Sequence, residues 1–69
     1  MTEDEFIKLI GNKIKNKREE LGLRQIDFAH LIGIEDSSLR RIESGRTNPT
    51  VKTLFRIAKA LKIELSELM

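Results

Sequence analysis

The 69-residue sequence has no cysteine, a single histidine, a single proline and three aromatic residues, all phenylalanine. With His30 alone and no thiol, neither a disulfide nor a Cys/His zinc site can form. Chains of this size often rely on such staples, and this one buries only about 60% of its unfolded surface. Stability must therefore come from closely packed helices, with or without a second copy. No apolar run approaches the ~20 residues of a membrane span. The acidic start MTEDEF lacks the basic-then-apolar order of a secretory signal, so a cytoplasmic location and no membrane partner are expected. There is no acid pair, no Ser/His/Asp set and no glycine-rich phosphate loop. An enzyme is not expected, and no cofactor or metal is implied.

Strand patterning is also missing, because apolar residues recur at intervals of three and four rather than two. Phe6, Ile7, Ile10, Ile14 and Leu21 trace one face of a first helix. Thr2 and Glu5 have capping-box spacing at its start, and Gly22 is a plausible stop. Ile26, Phe28, Ala29, Leu31 and Ile32 mark a second helix ending at Gly33. A third runs from about Asp36 to Ser44. Thr50, after Pro49, caps a fourth whose buried face is expected to hold Val51, Leu54, Phe55, Ile57, Ala58 and Leu61. A short turn around Leu65 to Leu68 closes the chain. Connections of two to six residues suit one all-α domain over 1–69, a bundle of four or five helices.

The third helix is odd. Only Leu39 and Ile42 are large and apolar, at i and i+3, and a two-turn helix is marginal without tertiary packing. Its other side chains are polar or charged. Charge is uneven along the chain as well. Residues 40–62 carry seven basic side chains and one acid, a local net of +6, while residues 1–35 are close to neutral at −1. Such a distribution suggests one basic face, either merely solvated or available to a polyanion.

The turn Gly33-Ile34-Glu35 joins the second and third helices. A glycine there permits a sharp exit, the pattern of a helix-turn-helix over roughly residues 25–44. The wider register contains Ile14, Arg18, Gly22-Leu23, Gln25, Ala29, Gly33-Ile34, Leu39, Ile42-Glu43, Gly45, Pro49, Leu54, Ile57-Ala58 and Ala60-Leu61. It resembles the Cro/C1-type (XRE) helix-turn-helix family of lambdoid phage repressors over residues 9–69. The resemblance implies a five-helix DNA-binding domain whose third helix enters the major groove, and it is also similar to restriction–modification controller proteins.

Carried over by register, the base-reading positions are Asp36, Ser37 and Arg41, with Ser38 nearby. Arg41 can donate two hydrogen bonds to guanine, worth about 1–3 kcal/mol of discrimination. Arg40 is also close by and could instead hold a phosphate; spacing does not separate the two arginines. Asp36 either accepts from cytosine or caps the third helix, with the cap favoured. Glu35 stands where the family often has Ser or Thr. The resemblance assigns phosphate contacts to Gln25, Ser44, Arg46 and Thr47, and a structural ion pair to Arg18 and Glu43. Arg24 departs from the Ser, Thr or Asn common in the family at that position; it costs a good cap but adds a cation that could reach a phosphate. All three phenylalanines are spaced as core, although Phe55 also suits a dimer seam. Ile63, Leu65, Leu68 and Met69 are the expected dimer contacts.

These readings lead to a sequence-specific transcriptional regulator that binds a roughly palindromic double-stranded DNA operator as a homodimer. Repression and activation both remain open. So do an antitoxin role and a protein-interaction module that has lost DNA binding, since Glu35 and Asp36 lower the positive potential at the tip of the third helix.

Overall fold

Four α-helices form where the periodicity predicts them: α1 at Glu3–Glu20, α2 at Gln25–Ile32, α3 at Asp36–Glu43 and α4 at Val51–Leu61. A single 3₁₀ turn follows at Leu65–Glu67. The computed structural model describes all of residues 1–69 and contains no strand.

The outer helices start on side-chain caps. Thr2 and Glu5 close a reciprocal box at the head of α1, with Glu5 N–H donating to Thr2 Oγ1 at 3.1 Å and Thr2 N–H to Glu5 Oε1 at 2.9 Å. Thr50 caps α4 by accepting from Thr53 N–H at 3.1 Å. The middle helices start differently. Arg24 and Glu35 are the N-cap residues of α2 and α3, and neither side chain makes a capping hydrogen bond. Asp36, expected as the cap of α3, is instead its first helical residue. The cap falls one position earlier because Glu35 already has extended backbone (φ −71°, ψ 149°).

One core unites the elements. Ile10 and Ile14 from α1, Phe28, Ala29 and Ile32 from α2, and Leu39 and Ile42 from α3 meet Leu54, Ile57, Ala58 and Leu61 from α4. Leu68 completes it and is wholly buried within the single chain. It is therefore unavailable as a dimer contact, because the 3₁₀ turn folds it back under α4 rather than outward. Several residues expected in the core lie outside it. Phe6, Leu21, Ile26, Leu31, Val51 and Phe55 are exposed, Phe55 to 59%. Each belongs to an apolar stripe wider than the neighbouring helices cover.

Two glycines set the packing. Gly33 takes a left-handed conformation (φ 77°), which lets Gly33 and Ile34 N–H reach back to His30 and Ala29 carbonyls at 3.2 and 3.0 Å. This closes α2 and turns the chain into α3. Gly11 brings α1 onto the end of α3. A Cβ at Gly11 would collide with the Ile42 carbonyl and lie 2.8 Å from that of Glu43. Backbone cannot yield there as a flexible side chain can. Gly11→Ala is expected to destabilise the chain by about 1–3 kcal/mol, the range for overpacking, read as a lower urea midpoint.

The capping box carries a pH signature. The Thr2 backbone N–H and then its hydroxyl hold the Glu5 carboxyl below its ordinary value of 4.5. A lowered folded value means the contribution is complete above 4.5 and is lost as pH falls through the folded value. Amide protection in the first turn of α1 should therefore fall selectively under acid, while α4 keeps its protection. Hydrogen exchange on the wild type and on Glu5→Gln, which should lack that step, checks it.

Candidate nucleic-acid interface

Helix α3 has a narrow footing. Leu39 is fully buried and Ile42 nearly so, while Asp36, Arg40 and Arg41 are exposed and Ser37 and Ser38 half-buried. Two aliphatic side chains three residues apart leave a helix free to roll. A polar lock at its C-terminal end prevents this. Arg18 of α1 donates to Glu43 of α3 through Nε (2.7 Å to Oε2) and Nη2 (3.0 Å to Oε1). Its Nη1 donates to the Leu23 carbonyl at 2.6 Å. Gln25 of α2 adds Nε2 to Glu43 Oε1 at 2.8 Å. One carboxylate thus ties three helices together.

Arg18 and Glu43 are each 6% exposed, and no buried side-chain polar atom lacks a partner. Hydrogen bonding to Glu43 raises the Arg18 pKa further above its already high ordinary value, against the opposing effect of burial. The guanidinium therefore stays charged at any pH the fold tolerates. Fork-to-carboxylate geometry fixes angle as well as distance.

Around this lock lies an open concave surface with no hydrophobic lining. Lys15, Arg40, Arg41 and Arg46 surround Gln25, Ser37, Glu43 and Ser44. Four cations face a single carboxylate that Arg18 already neutralises, so the surface is positive. Arg46 follows the end of α3, where its N–H donates to the Arg41 carbonyl at 2.9 Å. The Ser44 hydroxyl donates to the same carbonyl at 3.2 Å. Thr47 is half-buried in the next stretch of loop. Arg24 stands apart. Its Nε pairs with Asp27 Oδ2 at 2.9 Å, which raises its pKa but offsets its charge.

Lys15 escaped the sequence reading. Its signal was present, since it lies one helical turn before Arg18 and therefore on the same face of α1. The free N-termini of α2 and α3 are a second feature of this surface, and helix N-termini are expected phosphate contacts. With no side-chain cap on either helix, their first backbone N–H groups stay open to an anion. The scaffold helices α1 and α4 have theirs capped.

Known proteins share this fold. The family profile described as helix-turn-helix matches residues 14–68. The ImmF control region 10 kDa protein of Bacillus phage phi105 is 41% identical over 61 residues, covering 88% of this chain and 68% of that protein. The restriction–modification controller protein C.AhdI from Aeromonas hydrophila superposes with a TM-score of 0.87 at 31% identity, over 94% of this chain and 97% of that one. The P22 c2 repressor protein, solved in complex with a synthetic operator, gives 0.83 at 26% identity, over 88% and 92%.

Removing one member of the lock strands the other. Arg18→Met is expected to cost about 3–5 kcal/mol, and pairing it with Glu43→Met should recover much of that loss. Urea unfolding of the two single variants and the double variant measures this.

Proposed function

The chain belongs to the Cro/C1-type helix-turn-helix family of DNA-binding transcriptional regulators, and we propose that it binds a roughly two-fold-symmetric operator as a homodimer. The observation that carries this reading is the cationic surface built around a helix that is itself locked in place. Affinity comes from phosphate contacts by Arg46, Lys15, Arg40 and the N–H groups at the heads of α2 and α3. Gln25 has one amide proton committed to Glu43, and its second serves a phosphate. Ser44 and Thr47 line the approach to the loop. Arg24 contributes less than its charge suggests, because Asp27 holds it.

Sequence is read by the outward face of α3. Arg41 is the principal reader, through a two-pronged contact to guanine, and Ser37 and Ser38 are the short polar neighbours. Asp36 accepts from a cytosine amino group, since its carboxylate is exposed and does not serve as the cap. The dimer places two copies of α3 in successive major grooves about 34 Å apart. Its seam draws on Ile63, Leu65 and Met69, with Phe55, exposed on α4, as a further apolar contributor. Where the operator overlaps a promoter the outcome is repression, and where it lies upstream, activation. A regulator of this kind acts in the cytoplasm and performs no catalytic step.

Selection from a random duplex pool should enrich a two-fold-symmetric site. Arg41→Ala should relax it at one position per half-site, at about 1–3 kcal/mol. Lys15→Ala should weaken binding evenly across sequences and reduce the salt slope by roughly 1. A folded protein that enriches nothing at low salt would end the operator reading in favour of a protein-interaction module.

A further inference from the structure

A second concavity lies between α2 and α4. Leu31, Ile32 and Ala60 form its apolar floor, and Arg56, Lys59 and Lys62 its rim. It shares no residue with the surface around Glu43. Leu31 is 61% exposed there, although its neighbours in the helix Phe28 and Ile32 are buried. None of the three cations is paired, since the chain's ion pairs involve only Arg18 and Arg24. Lys62 adds a backbone observation. It closes α4 with φ 59°, the one non-glycine residue at positive φ. Gly22, Gly33 and Gly45 fill that conformation elsewhere. A lysine stands in a position that favours glycine, and its charge completes the rim.

An apolar floor with an all-cationic rim fits a short acidic segment carrying an exposed apolar side chain. The chain itself supplies one. The first turn of α1 holds Glu3, Asp4 and Glu5, flanked by the exposed Met1 and Phe6. Glu5 is tied to Thr2, while Glu3 and Asp4 are exposed and in no ion pair.

We propose that the α2–α4 groove receives the first turn of α1 from a second copy of this chain. Glu3 and Asp4 face Arg56, Lys59 and Lys62, and Phe6 covers Leu31. The two surfaces are unlike, so the contact is head-to-tail and links successive copies rather than closing on a two-fold axis. Exposed ion pairs are individually weak and screened over about 10 Å at 0.1 M salt. The contact is therefore weak in dilute solution and strong when copies are held side by side. Only that amplification on neighbouring DNA sites rests on the operator reading; the contact itself does not.

The test needs no DNA. Isotope-labelled full-length chain is titrated with unlabelled chain at low salt and followed by NMR. Salt-sensitive shifts are expected at residues 2–6 and at the groove, 31–33 and 56–62, separate from any two-fold seam at residues 63–69. Arg56→Glu with Lys59→Glu, and Glu3→Lys with Asp4→Lys, should each weaken this association roughly tenfold. All four positions are exposed, and an unchanged circular dichroism spectrum confirms the fold of each variant. Mixing the two variants should restore the shifts at the reversed groove of the first. No salt-sensitive shift in the wild type, no loss in either variant, or no restoration on mixing would overturn the proposal. Groove shifts that arise only when random-sequence duplex is added would overturn it too, and would assign the cations to phosphate.

Discussion

The Glu43 carboxylate is the constraint on which the rest depends. It sits at the end of α3 and accepts from Arg18 on α1 and Gln25 on α2. A buried ion pair is a poor source of net stability, because desolvation offsets most of the attraction. What it supplies is direction. Apolar packing by Leu39 and Ile42 alone tolerates rotation of α3 about its axis, and rotation would turn Arg41 and Ser37 away from the surface they share with Lys15 and Arg46. Three geometrically demanding hydrogen bonds to one carboxylate remove that freedom.

The same carboxylate governs the electrostatics. Glu43 is the single acid among residues 40–62, in a segment of seven cations. Left unpaired it would weaken the field at the centre of the surface. Paired with Arg18 it adds no net charge, and Lys15, Arg40, Arg41 and Arg46 set the sign. The uncapped starts of α2 and α3 add partial positive charge from free N–H groups. Absence of capping, usually a local weakness of about 1 kcal/mol per helix, is confined to the two helices that face this surface.

Much of the architecture was legible. Helix positions, the turn at Gly33, the caps at Thr2 and Thr50, and the thin stripe of α3 all follow from spacing and cap chemistry, which act over three or four residues. The misses share one cause. Phe6, Leu31, Val51 and Phe55 fit an apolar stripe, yet a stripe states which residues share a face and not how much of it a distant helix will cover. Leu68 was misread in the opposite sense, because terminal apolar residues look available until the chain is seen to fold back. Asp36 and Glu35 show the limit of cap reading. Adjacent acids are both acceptable at a helix start, and the tertiary path of the turn chose between them.

Sequence alone determined that this is a small all-α chain without disulfide or zinc, with a polar, weakly anchored third helix beside a basic segment. Those properties are local or additive, and residue order suffices for them. Tertiary structure decided what the polar residues face. It set Lys15 on the same concave surface as Arg41 through the close crossing of α1 and α3 that Gly11 permits. It joined Arg18 to Glu43 across 25 residues of chain, and it left Leu31 open between α2 and α4. Each outcome depends on the distance and angle between helices, which side-chain volumes across the whole core fix together and no single segment encodes.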